Sequence, residues 1–324
     1  MQVSEREVRL EAAPTGVADL AALLKARLPG ALGAIVNTVD RAQALYQALG
    51  QGERLTLGDL LPLLGKGPGE GPWQALWEKG EEARGQVVGK RLEDGTLVFL
   101  LHARFPAEER ALREGVALAL FGKGGPRPER AILVATQVAE QSLDLDFDLL
   151  YTDLAPMDLL FQRAGRLHRH ERGRPQGLEE PLLLVGGMGG NPEFGEELRW
   201  NRVYEDYVLL STWLALQGRA SLRVPGDLEA LLEEVYGRSP GDFPPDLQER
   251  AQKSHQALLR RQAQESETAH NLALSELSKL LSRVEAADLA AEFRLDDEAE
   301  DSRTQRFLTR LGNPNVPAVL LYRL

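Results

Sequence analysis

Residues 131–135 read Ala-Ile-Leu-Val-Ala, and residues 147–152 read Phe-Asp-Leu-Leu-Tyr-Thr. Both runs are apolar almost throughout and shorter than the roughly 10–12 residues a helix needs. Neither shows the strict alternation of a strand with one wet face. Such runs are strands buried on both sides, the mark of a parallel sheet covered by helices. Working outward, Ala34–Val36, Leu97–Leu101 and Leu182–Val185 repeat the signal. Helical spacing fills the intervals: Val17–Leu28, Ala42–Leu49 stopped by Gly50, Glu108–Phe121 stopped by Gly122, and Asp158–Leu167. Strands alternating with helices predict an α/β domain over residues 1–190, with a Gly/Pro-rich insertion at about 51–95 that carries Trp73 and Trp77.

After the glycine-rich Gly186–Gly190 the character changes. Phe194–Leu216, Leu228–Tyr236 and Leu247–Leu281 read as helices, giving a mainly helical linker over 191–284. An acidic stretch from Glu285 to Asp301 then leads into a short apolar end, Val319–Leu324, read as the start of a truncated C-terminal domain over 285–324. The 324 residues carry a net charge of −11, so a uniformly basic nucleic-acid coat is excluded and a local basic patch is not. No cysteine is present, which excludes disulfides, thiolate metal sites and cysteine nucleophiles and fits a cytoplasmic protein. No apolar run approaches a membrane span, and the polar first ten residues exclude a signal peptide there.

Chemistry gathers where the strands end, the rim that binds ligands in parallel sheets. Asn37-Thr38, His102 with Arg104, Thr136-Gln137 and Asp153 each follow a strand. The strongest stretch is Gln162-Arg163-Ala164-Gly165-Arg166-Leu167-His168-Arg169. Three arginines spaced by three make a drifting stripe on a helix, and Gly165 permits close backbone approach. Guanidinium forks match polyphosphate oxygens, and an arginine brought from a neighbouring domain stabilises phosphoryl transfer. Asp144 and Asp146 are two apart and share a face if extended. They either coordinate Mg²⁺ or orient arginines and bind backbone amides.

At these stretches the chain resembles the second RecA-like domain of a superfamily-two helicase. Residues 131–148 are similar to that superfamily's motif five, QRAGRLHR at 162–169 to motif six, and Ile35–Val39 with Ala42 and Tyr46 to motif four. The wording of 137–144, Asp153–Pro156, Leu167–His170 and Arg174-Pro175 resembles one family, the type I CRISPR-associated helicase-nuclease, and Thr309–Pro314 resembles its C-terminal domain. The resemblance implies arginine fingers at Arg166 and Arg169. It implies nucleotide-side roles for Gln162, Arg163, Gly165 and Asp144, and strand-backbone contacts from Asn37, Thr38, His102, Arg104, Thr136 and Gln137.

The same resemblance implies ATP with Mg²⁺ shared with a first helicase domain, and single-stranded DNA and an RNA-guided surveillance complex as partners. Departures shape the expectation. Gly65-Lys66 and Gly122-Lys123 are each followed by glycine rather than Ser or Thr, so no phosphate-cradling loop is present, and neither a D-E-x-x run nor a His-Asp pair occurs. The chain is therefore expected to be half of a motor whose first helicase and nuclease domains lie elsewhere, and inactive alone. Two alternatives stand beside this: half of a generic superfamily-two helicase, or a non-catalytic nucleic-acid-binding or docking module.

Overall fold

A computed structural model of the chain describes residues 5–64, 76, 83–124, 126–140, 143–195 and 197–282, with side chains described as far as 267. Trp73, Trp77, the acidic stretch and the terminal apolar run lie outside the described residues. The strands are β1 (Arg6–Ala13), β2 (Gly30–Ile35), β3 (Glu53–Thr56), β4 (Val87–Arg91), β5 (Leu97–Leu101), β6 (Arg130–Ala135), β7 (Leu149–Asp153), β8 (Leu182–Gly186) and β9 (Ser221–Val224). They form one sheet in the order β3-β4-β5-β6-β2-β7-β8-β1-β9. From β5 to β1 every neighbouring pair is parallel.

The sheet is mixed, which corrects the wholly parallel expectation at both edges. The insertion contributes β3 and β4, added antiparallel beside β5. At the other edge β9 pairs antiparallel with β1. Apolar runs do not reveal β1 because its outer residues Glu7 and Arg9 are charged and only Val8 and Leu10 are buried.

Helices cover the sheet: α1 (Val17–Ala26), α2 (Val39–Ala48), α3 (Leu57–Leu60), α4 (Ala107–Phe121), α5 (Met157–Ala164), α6 (Asp206–Leu216), α7 (Leu228–Gly237) and α8 (Pro245–Ser282). Leu20, Leu24, Leu32, Leu45, Leu49, Ile132, Val134 and Leu149 meet between sheet and helices in a core that excludes water. Thr38 caps α2 by accepting the Arg41 N–H. Acidic residues open α4 (Glu108, Glu109) and α5 (Asp158), where they complement the helix dipole.

The chain divides into two compact units, Met1–Ala251 and Gln252–Leu324. A boundary at 190 is therefore not observed: β9, α6 and α7 belong to the unit that holds the sheet. Regular helix within 194–216 begins only at Asp206. Before it, the described residues 194–195 and 197–205 are irregular but for a short 3₁₀ turn at Trp200–Arg202. Trp200 is wholly buried, stacked on Phe194 with ring centroids 6.1 Å apart. Gly187 admits it: φ is +81° there, and a Cβ would meet the indole at 2.7 Å. In the second unit, Arg261 and Glu265 pair along α8 at 3.0 Å. Among the described residues no helix is long and apolar enough to cross a membrane.

Candidate functional site

Trp200 packs against Gly187, just past β8, and the Tyr204 hydroxyl meets Gln137 and Arg163, so several rim residues expected at the surface are interior. Asn37 donates its backbone N–H to Asp153 Oδ2 at 2.9 Å and its side-chain amide to the Leu154 carbonyl at 2.7 Å. Asp153 also pairs with Arg41 at 3.0 Å and accepts from the Tyr151 hydroxyl at 2.8 Å. Arg163 is 0% exposed. Its Nε donates to Glu140 Oε1 at 2.7 Å, and Nη1 donates to Thr152 Oγ1 at 2.7 Å and to the Asp153 carbonyl at 3.0 Å. Nη1 and Nη2 both reach Asn37 Oδ1 at 3.3 Å, and Nη2 reaches the Tyr204 hydroxyl at 3.1 Å. Burial works against its charge, but Tyr204 and Glu140 outweigh it and hold Arg163 above its ordinary pKa.

Arg163, expected on the nucleotide side, spends its N–H groups on its own fold in this structure. The three-arginine stripe is corrected, because α5 ends at Ala164. Only Arg163 stands on the helix, on the face that Leu160 and Ala164 bury. Arg166 lies in the following turn. Arg169 follows His168, whose left-handed backbone (φ 45°) turns the chain.

Arg166 folds inward onto backbone. It donates to the Leu143 carbonyl and, through Nη2, to the Glu140 carbonyl at 2.9 Å, while its buried Nε has no acceptor among the described residues. Burial and neighbouring Arg169 lower its pKa. Arg169 is 41% exposed in its side chain and pairs with Asp144 Oδ1 at 2.5 Å. His170 Nε2 shares Asp144 at 3.1 Å. Gln162 is exposed, and Gly165 gives its carbonyl to Arg6 at 2.8 Å. Gln162, Arg169 and Asp144 thus sit at the surface, with Arg166 beneath them on neutral acceptors.

The turn that carries these arginines is tied down by two buried acids. Asp146 takes the Arg169 backbone N–H at 3.0 Å, Arg172 Nε at 2.9 Å and Arg174 Nη2 at 3.0 Å. Asp148 takes Arg127 at 2.8 Å, Arg174 at 2.9 Å and the Ala31 N–H at 2.7 Å. Of the two readings open for Asp144 and Asp146, the acids orient arginines and bind an amide. Among the described residues no group of three or more His, Asp or Glu side chains could hold a metal. Asp148, Arg127 and Arg172 escaped sequence reasoning. Their signal is the alternation of acids at 144, 146 and 148 matched by arginines at 172 and 174.

The strand-side candidates divide by exposure. Asn37, Thr136 and His102 have buried side chains in this structure. His102 stacks on Phe105 at 4.0 Å and contacts Gln43 at 3.2 Å; burial and then Arg113 lower its pKa. Thr38 is half-buried as the α2 cap. Arg104 is exposed and pairs with Asp40 at 3.0 Å. Gln137, half-buried, donates to the Asn37 carbonyl at 2.9 Å and the Tyr204 hydroxyl at 3.2 Å. Sequence reasoning missed Glu140 and Tyr204, which lie between the two groups.

Residues 81–172 match the family model described as CRISPR-associated nuclease/helicase Cas3, C-terminal. The CRISPR-associated endonuclease/helicase Cas3 of Thermus thermophilus is 62% identical over 322 residues, which is 99% of this chain and 35% of that protein. The chain thus spans about a third of that relative's length. The crystal structure of T. fusca Cas3 with ADP aligns with a TM-score of 0.58 at 30% identity, covering 84% of this chain and 28% of the other. A chain of a CRISPR RNA-guided surveillance complex in a pre-nicking state aligns with a TM-score of 0.51 at 32% identity, covering 80% and 28%.

Proposed function

The chain belongs to the CRISPR-associated nuclease/helicase family, matching its C-terminal helicase region, and from that membership we propose that it is the second half of an ATP-driven single-strand DNA motor in type I CRISPR interference. The observation that carries the reading is the contrast between the arginines of one motif. Arg163 is locked by charge, whereas Arg166 rests on neutral carbonyls and its buried Nε has no acceptor among the described residues. A phosphate oxygen is a stronger partner for a guanidinium than a carbonyl is, so Arg166 can exchange its contacts at small cost. Arg169 at the surface would join it, with Gln162 and Gly165 lining the same edge. Asp144 would hold Arg169 until the nucleotide competes for it.

ATP would be cradled by the first helicase half, since residues 1–324 hold no phosphate-cradling loop. Mg²⁺ fits no group among the described residues of this chain, so the reading leaves the ion to that half as well. When bound, the nucleotide and its ion supply the phosphoryl group and part of the charge neutralisation. This chain's share is guanidinium charge at the transferring phosphate. Thr38, Arg104 and Gln137 are the accessible strand-side candidates, with backbone rather than bases as their target. A surveillance complex would deliver the displaced strand, already unpaired by the guide.

ATP turnover tests the reading. The isolated chain should show negligible hydrolysis with or without single-stranded DNA. Assembled with the first helicase half, it should hydrolyse ATP in a strand-stimulated, salt-sensitive way. Robust turnover by the isolated chain overturns the half-motor assignment.

A further inference from the structure

The polar network between the strand-side and nucleotide-side residues has one member from outside the motifs. Tyr204 belongs to the irregular segment before α6, anchored through its N–H to the Trp200 carbonyl at 2.9 Å. Its hydroxyl oxygen accepts from Gln137 Nε2 at 3.2 Å and from Arg163 Nη2 at 3.1 Å. Both lone pairs are then used, one toward each side. The short turn Gln137–Glu140 closes the loop. Gln137 reads the Asn37 carbonyl, the Glu140 carboxylate holds Arg163, and the Glu140 carbonyl holds Arg166. A displacement at Gln137 therefore has two rigid routes to the arginines: along the turn, and through one hydroxyl.

We propose that Tyr204 is a positioning residue that couples strand binding at Gln137 to the placement of Arg163 and Arg166. The inference rests on the functional reading above and names a residue outside its motifs. Anchoring alone does not explain the hydroxyl. Without it Arg163 keeps Glu140, Thr152, Asp153 and Asn37, and Gln137 keeps the Asn37 carbonyl, so each side remains held. What disappears is the bridge. Burial raises the Tyr204 pKa, so the hydroxyl stays neutral through the working range.

The test is Tyr204→Phe in the helicase assembled from this chain and the first helicase half. ATP turnover is read with and without an oligodeoxythymidine, and strand affinity with and without a non-hydrolysable ATP analogue. Strand-free turnover should stay within about twofold while strand stimulation falls about tenfold, the scale of an ordinary coupling between sites. The analogue should also cease to shift the strand Kd. Stimulation retained within about twofold, or equal losses with and without strand, overturns the inference. In the wild-type assembly, the analogue should raise amide protection in peptides spanning 137–140 and 200–205 together; protection in only one also overturns it. This reading needs no variant and decides the matter if Tyr204→Phe fails to fold. A wild-type assembly that hydrolyses ATP yet ignores every strand overturns the functional reading itself, and this inference with it.

Discussion

Arg163 and Arg166 stand three residues apart in one motif and have opposite fates. Arg163 is enclosed with Glu140, and a buried charge that loses its partner is costly. Arg163→Ala should destabilise the fold by about 3–5 kcal/mol in urea unfolding, since it leaves the Glu140 carboxylate alone. A loss under about 1 kcal/mol, the scale of an exposed pair, would mean that the network is not closed as described. The motif's spelling conveyed the chemistry of these side chains but not their direction. The cue was present: Arg163 lies three after Leu160 and next to Ala164, on the face α5 buries. Asp148 was missed for a related reason. The alternation of acids at 144, 146 and 148 was visible, but only tertiary structure brings Arg127 and Arg174 to Asp148.

At the scale of elements, legibility followed burial. β5, β6, β7 and β8 lie inside the sheet with both faces covered, so their residues are mostly apolar and the runs were plain. β1, β3 and β9 are half-exposed or short, and charged residues on the wet face hide them. Burial lowers the His102 and His168 pKa values below the ordinary value of about 6.5. A depressed pKa contributes stability above the unfolded value and loses it as pH falls through the folded one. Burial alone would raise Asp148, but Arg127 and the Ala31 N–H overcome it and hold the carboxyl below about 3.9. Unfolding free energy should therefore begin to fall below about pH 6.5 through the histidines, and fall again below about 4 as Asp148 protonates. His102→Gln with His168→Gln should flatten the upper limb; an unchanged profile between pH 7 and 5 would show that these imidazoles do not set it.

For the molecule as a whole, sheet and site are parts of one construction. The parallel strands bring Asn37, Thr136 and Asp153 to one rim, and the segment after β8 covers part of it. Within the arginine motif, Arg163 is wholly buried on Glu140 and Arg166 rests on the Glu140 and Leu143 carbonyls. This arrangement was legible only in part: a helix was read across Phe194–Leu216, whereas regular helix begins at Asp206. The central claim concerns Arg166. Its most direct test is single-turnover ATP hydrolysis by the assembled helicase carrying Arg166→Ala, with nucleotide binding measured in parallel. The account predicts that hydrolysis slows by about 10³–10⁵-fold while nucleotide still binds. A slowing of less than about tenfold would contradict it.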